Sequence, residues 1–169
     1  MKPWWMTLLL EQRAAQFDAF SGATASLMVP VSDRLISDIV GRSLSASVRE
    51  LEIRAMPDNQ LSVGVRLRTP AWFPRINAKL HIERQPDLPD APVLVVRLLS
   101  QGALAALAGP AARFFSALPA WLQWDGDLLR VDLAELLRQY DAVDVLSYVR
   151  RAEVTTREGS IVLAIDAMV

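Results

Sequence analysis

Residues 61–68 read LSVGVRLR and residues 76–83 read INAKLHIE, and the fold turns on these two stretches. Leu61, Val63, Val65 and Leu67 alternate with Ser62, Gly64, Arg66 and Arg68. Ile76, Ala78, Leu80 and Ile82 alternate with Asn77, Lys79, His81 and Glu83. Successive side chains on a strand point to opposite faces, so each stretch has one dry and one wet face. Two further strands are expected beside them, over Val48–Met56 and Val93–Leu99, with the central pair spanning Leu61–Thr69 and Arg75–Arg84. Pro57-Asp58-Asn59 is a compact turn that should fold the first two into an antiparallel hairpin. The Val93–Leu99 stretch is apolar on both faces, so both should be covered. Thr69–Pro74 (TPAWFP) reads as a corner displaying Trp72 and Phe73 between prolines. Gln85–Pro92, with prolines at 86, 89 and 92, reads as a stiff loop.

Upstream, Ala25–Val31 is a short apolar segment interrupted by Pro30, which predicts an edge strand. Ser32 can cap a helix, with Asp33 well placed in its first turn. Leu35, Ile36, Ile39, Val40 and Leu44 then recur at helical spacing. Gly41 lowers the propensity of that helix and predicts close packing against it. Downstream, Gly102–Leu122 carries one charge, Arg113, and a helix is expected over about 101–118, interrupted near Gly109-Pro110. Trp121, Trp124 and Asp125-Gly126 lead into a turn and a short strand, 127–131. Asp132 and Glu135 have capping-box spacing ahead of a helix whose apolar face is Leu133, Leu136, Leu137 and Tyr140. Two last strands, 145–156 and 160–168, meet at Arg157-Glu158-Gly159, a hairpin signal.

Residues 1–20 read as an amphipathic helix, with Pro3 in its first turn and Trp5, Leu8, Leu9, Gln12, Ala15 and Ala19 near one face. Its apolar run breaks at Glu11-Gln12-Arg13, too early for a signal peptide with a nearby cleavage site and too short for a bilayer span of about 20 residues. The helix is expected to stay on the protein, either packing or pairing subunits or lying in a membrane interface through its tryptophans. The whole chain is expected to be one domain, 1–169, with 1–20 as the N-terminal helix and 25–169 as a sheet-plus-helix unit. The fold class is α+β: a long curved antiparallel sheet wrapped around or packed on an amphipathic helix, with additional helices at the N-terminus and in the middle.

Composition narrows the function classes. The 169 residues include no cysteine and one histidine, carry a net charge of −1, and are 52% hydrophobic. Disulfides, thiol nucleophiles and thiolate-held metals are excluded. Charges of both signs are interspersed, so there is no basic face for nucleic acid; Arg66, Arg68, Arg75, Lys79 and Arg84 read as solvated strand residues. His81 lies mid-strand beside Lys79 and Glu83, without a nucleophile or orienting partner in reach. Asp125-Gly126-Asp127 lacks the other ligands of a calcium loop and reads as a plain turn. No GxxxxGK[ST], GxGxxG, GxSxG or HExxH occurs. The expectation is a non-enzyme without cofactor or metal.

The segment 27–44 (LMVPVSDRLISDIVGRSL) places a short strand before an amphipathic helix, and long alternating strands follow. With DGDLLRVDLAELL and the hairpin VLSYVRRAEVTTREGSIVLAIDA near the end, this layout resembles the tubular lipid-binding (TULIP-like) superfamily over residues 25–169, in its small bacterial members related to the bactericidal/permeability-increasing fold. The resemblance implies an apolar channel for acyl chains between sheet and helix. The expected function is therefore non-enzymatic binding of a lipid or fatty acid. Its lining would be Ile36, Ile39, Val40, Leu61, Val63, Val65, Ile76, Leu80 and Ile82, with Trp72 and Phe73 at its mouth. The alternative is a structural or scaffold subunit whose apolar surface is an oligomer or partner interface, and an enzyme with a motif-free site is third. Peripheral membrane contact through residues 1–20 and a homo-oligomer are the further partners considered, and the expected location is cytoplasmic or membrane-peripheral.

Overall fold

The computed structural model describes residues 22–44, 48–68, 75–100 and 118–168. Within them, nine strands form two antiparallel sheets. The six-stranded sheet holds β2 (Val48–Met56), β3 (Gln60–Leu67), β4 (Ile76–Arg84), β5 (Val93–Leu98), β6 (Leu122–Asp125) and β7 (Leu128–Asp132), in the order β2-β3-β4-β5-β7-β6. The three-stranded sheet holds β1 (Thr24–Ser32), β8 (Val149–Arg157) and β9 (Ser160–Met168), in the order β1-β9-β8. Helix α1 (Asp33–Ser43) follows β1, and the one-and-a-half-turn helix α2 (Leu133–Arg138) follows β7. The α+β class stands, but the strands divide into two sheets rather than one long one. The helices expected over 1–20 and 101–118 lie outside the described residues.

The alternation sets the register as expected. Leu61, Leu80 and Leu98 pair across β3, β4 and β5, and Val65 pairs with Ile76. Their dry face forms the largest buried cluster, Ile76, Leu80, Val96 and Leu98, with Leu61, Val63, Ala78, Leu94, Trp124 and Leu129 packed against it. Val95 and Val96, on opposite faces of β5, are both 4% exposed, as a strand apolar on both sides requires. The β2–β3 turn forms with Asp58 and Asn59 at φ of 60° and 58°, the left-handed region that Asp and Asn tolerate best after glycine.

Helix α1 lies along the outer edge of β2. Asp33 Oδ1 accepts from the Ala55 N–H at 3.0 Å and Ser37 Oγ accepts from the Ile53 N–H at 2.9 Å. The match is geometric. Four residues along a helix rise about 6 Å, and two residues along a strand advance about 6.7 Å, so helix positions 33 and 37 meet strand positions 55 and 53 in turn. One step further, a Cβ on Gly41 would stand 3.9 Å from Leu51 Cβ, an ordinary contact. Gly41→Ala should therefore raise stability by about 0.5–1 kcal/mol through helix propensity. Chemical denaturation measures this, and a loss would mean the helix sits closer than described.

The two sheets join where β8's outer edge meets loops of the larger sheet. The Gln85 side-chain amide pairs with both Val154 N and Val154 O at 2.8 Å, and Asn59 Oδ1 accepts from Thr156 N at 3.3 Å. Thr156, buried, donates its hydroxyl to Met56 O.

Two differences from expectation are local. Residues 122–125, anticipated as part of a turn, form β6, because Gly126 takes φ of 62° and makes a tight hairpin with β7. The strand expected from 145 begins at Val149; Val143–Ser147 forms a 3₁₀ turn in which the Ser147 hydroxyl donates to Asp144 O.

Candidate functional site

The strand pairings assign every residue of the three-stranded sheet to a face. One face carries Ala25, Leu27, Val29 and Val31 of β1, Ile161, Leu163, Ile165 and Ala167 of β9, and Val149, Ala152, Val154 and Thr156 of β8. Eleven of these twelve side chains are apolar, and the exception is the threonine already hydrogen-bonded to Met56 O. The opposite face is mixed: Arg151, Glu153, Arg157 and Asp166 stand beside Met28, Pro30 and Val162.

This dry face is covered on one side only. Along β8, Val149, Val154 and Thr156 are buried. Along β9, the middle strand, Ile161, Leu163, Ile165 and Ala167 are all half-buried, and on β1 Leu27 is 57% exposed. In the larger sheet Ile76, Leu80 and Ile82 of β4 are exposed by 7%, 8% and 5%, whereas Leu61, Val63 and Val65 of β3 are half-buried like the β9 row, and the buried residue of β9 is Val162 on the opposite face. From Ala25 to Val31 the row is about 20 Å long at 3.3–3.4 Å per residue.

Of the residues anticipated as a channel lining, the six on strands share one face of the larger sheet and differ in burial. Leu61, Val63, Ile76, Leu80 and Ile82 share the dry face of the larger sheet, where the last three are core. Val40 and Val65 pack around a second cluster, Leu44, Val48 and Leu67. Ile36 is half-buried and Ile39 is 45% exposed. Trp72 and Phe73 lie outside the described residues. Sequence reading passed over the three-stranded face, although its signal was present: LMVPVS and SIVLAIDA are apolar at alternate positions, and their pairing adds the rows together.

Two clefts among the described residues are lined mainly by polar side chains. The larger, of about 490 Å³, lies between α1 and the start of β2 and is lined by Asp38, Arg42, Arg49, Glu50 and Arg68 among others. The smaller, of about 250 Å³, lies on the wet face among Glu52, Arg54, Ser62, Gly64, Arg75 and Asn77. None of the anticipated lining residues borders either cleft.

The wet face of the larger sheet is held by cross-strand ion pairs. Arg97 grips Glu83 through two N–H groups at 3.0 and 3.1 Å and lies 3.4 Å from Asp127. Glu83, and then Asp127, raise the Arg97 pKa further. Glu52 receives hydrogen bonds from Arg75 and Arg54, and these, Arg75 first, hold its carboxyl below the ordinary value. Two of the five basic residues of the sequence stripe, Arg66 and Arg75, are thus paired with Glu50 and Glu52. Because the folded value is depressed, the stabilisation by Glu52 is present above the ordinary carboxylate pKa and fades as pH falls through the lowered one. Arg75 reaches Glu52 by lying across Gly64, where a Cβ would come within 2.8 Å of its Cζ. Gly64→Ala should push Arg75 aside and return the Glu52 pKa toward its ordinary value. A carboxyl titration followed by NMR reads this, and an unchanged Glu52 would contradict it.

Among the described residues no group of three or more His, Asp or Glu side chains could hold a metal ion. There, too, no helix is long and apolar enough to cross a membrane. No family model, curated protein or solved structure matches the chain.

Proposed function

We propose that this chain is a non-enzymatic binding protein that holds a lipid or fatty-acyl chain against the dry face of its three-stranded sheet. The observation that carries the reading is the apolar face built by pairing β1, β9 and β8, with Ile161, Leu163, Ile165 and Ala167 half-buried on the middle strand and Leu27 57% exposed beside them. Each methylene withdrawn from water onto such a surface contributes about 0.8 kcal/mol, so an acyl chain needs no charged partner to bind. The layout resemblance to tubular lipid-binding proteins supports the same ligand class. In this reading the ligand lies along that face, and residues 1–20, with their tryptophans, would bring it to a membrane surface.

Organic extraction of the purified native protein, followed by mass spectrometry, tests the proposal. Recovery of acyl lipid is expected, together with a thermal midpoint that rises with added fatty acid, because a ligand bound only by the folded state stabilises it. A lipid-free extract with a midpoint indifferent to fatty acid would contradict it. The alternative reading as an assembly subunit is favoured by a different observation, the uncovered outer edge of β1.

A further inference from the structure

Among the described residues the two sheets have four outer edges, of which two are hydrogen-bonded by side chains and a third is short. The edge of β2 is hydrogen-bonded by Asp33 and Ser37 of α1. The edge of β8 is hydrogen-bonded by the Gln85 and Asn59 side chains. β6 is only four residues long, which is itself a protection against further pairing. Among the described residues β1 alone presents a long uncovered outer edge, nine residues with Thr24–Met28 all exposed. It also carries no charged residue, TASLMVPVS, although charge is the usual guard on an edge strand.

The backbone direction of that edge can be assigned. Asp33 N donates to Gly159 O, one step beyond the pair Ser32–Ser160, so odd-numbered residues of β1 direct their backbone groups to β9. Even-numbered residues then direct theirs outward. Pro30 agrees, since a residue without an N–H is tolerated where no ladder bond is required. Proline blocks the far half of the edge and leaves Thr24, Ser26 and Met28 with outward N–H and C=O groups.

We infer that β1 pairs with β1 of a second copy, antiparallel and two-fold, over Thr24–Met28, joining two three-stranded sheets into one of six. The three outward residues fix the register: Ser26 faces Ser26 of the second copy, and Thr24 faces its Met28. Pro30 then falls opposite Gly22, outside the ladder, where its missing donor is not called on. Leu27 and Met28, 57% and 65% exposed in the single chain, gain neighbours on opposite faces, Ala25 and Thr24 of the second copy. The dry face runs unbroken across the axis, and no like charges are opposed. The contact is isologous, so it closes as a dimer and does not propagate.

Light scattering of the full chain after size exclusion tests this, together with two variants. The wild type should have twice the 18.7 kDa chain mass. Ser26→Pro removes the outward N–H of both copies at the axis while sparing the odd-numbered ladder to β9, and should halve the mass while leaving the circular dichroism spectrum unchanged. Ser26→Cys provides a single thiol in a chain that has none. Opposed residues in a hydrogen-bonded pair lie about 5.5 Å apart at Cα, within disulfide reach, so mild oxidation should give a covalent dimer. A monomeric wild type overturns the proposal. So does a dimer that Ser26→Pro leaves intact and Ser26→Cys fails to lock, such as one held by residues 1–20.

Discussion

Leu80→Ala should lower the stability of this protein by about 2–5 kcal/mol, the range for emptying a large side chain from a packed core. Leu80 is 8% exposed and sits on β4 between its cross-strand partners Leu61 and Leu98. Ile76, Val96 and Leu98 surround the space it would vacate, and strands bonded on both sides cannot easily collapse into it. Leu27→Ala removes the same atoms from a side chain 57% exposed and should change stability by no more than about 0.5 kcal/mol. Denaturant midpoints at a constant slope measure both. Equal losses at the two leucines would mean that the three-stranded face is ordinary core.

Removing the helix side chains that close the β2 edge should be nearly as damaging. Ser37→Ala leaves the N–H of Ile53 without its acceptor, and Asp33→Ala does the same to Ala55, whose residue is 3% exposed. A buried donor stripped of its partner costs about 1–3 kcal/mol. The double variant should lose less than the two single losses added together, because once α1 lifts from the edge the second bond is already broken. Asp38→Ala, on an exposed position of the same helix, is the control and should stay within about 0.5 kcal/mol. Additive losses at 33 and 37 would contradict a helix that docks as one unit.

These experiments also mark what the amino-acid order discloses. The period of two at 61–68 and 76–83 was sufficient for the register of β3 and β4, because a slip by one residue would turn Leu61 and Leu80 into water. Pro30 foretold an edge strand, and Ser32 foretold the start of α1, whose Leu35 N–H it accepts. The division into two sheets was not legible. Nor was their junction, which runs through Gln85 and Asn59, residues of loop and turn whose amides bond the backbone of β8 some 69 and 97 positions later in the chain. A polar side chain in a loop announces no distant partner. The placement of α1 was hidden for a related reason. Its apolar residues drew attention, whereas Asp33 and Ser37, which dock it, look like solvent-facing positions until β2 is beside them. The apolar face of the smaller sheet was hidden because each of its strands, read alone, is an ordinary half-buried strand, and only the pairing of β1, β9 and β8 adds their rows together.

The most direct measurement places an environment-sensitive fluorophore on that face. Leu27→Cys provides a unique thiol on its open end, and Leu99→Cys, 48% exposed at the end of β5, provides one elsewhere. Titration with a long-chain fatty acid should shift the emission of the label at 27 to the blue, saturably, and leave the label at 99 unmoved. Silence at 27, or the same shift at both positions, would contradict a lipid held on the three-stranded sheet.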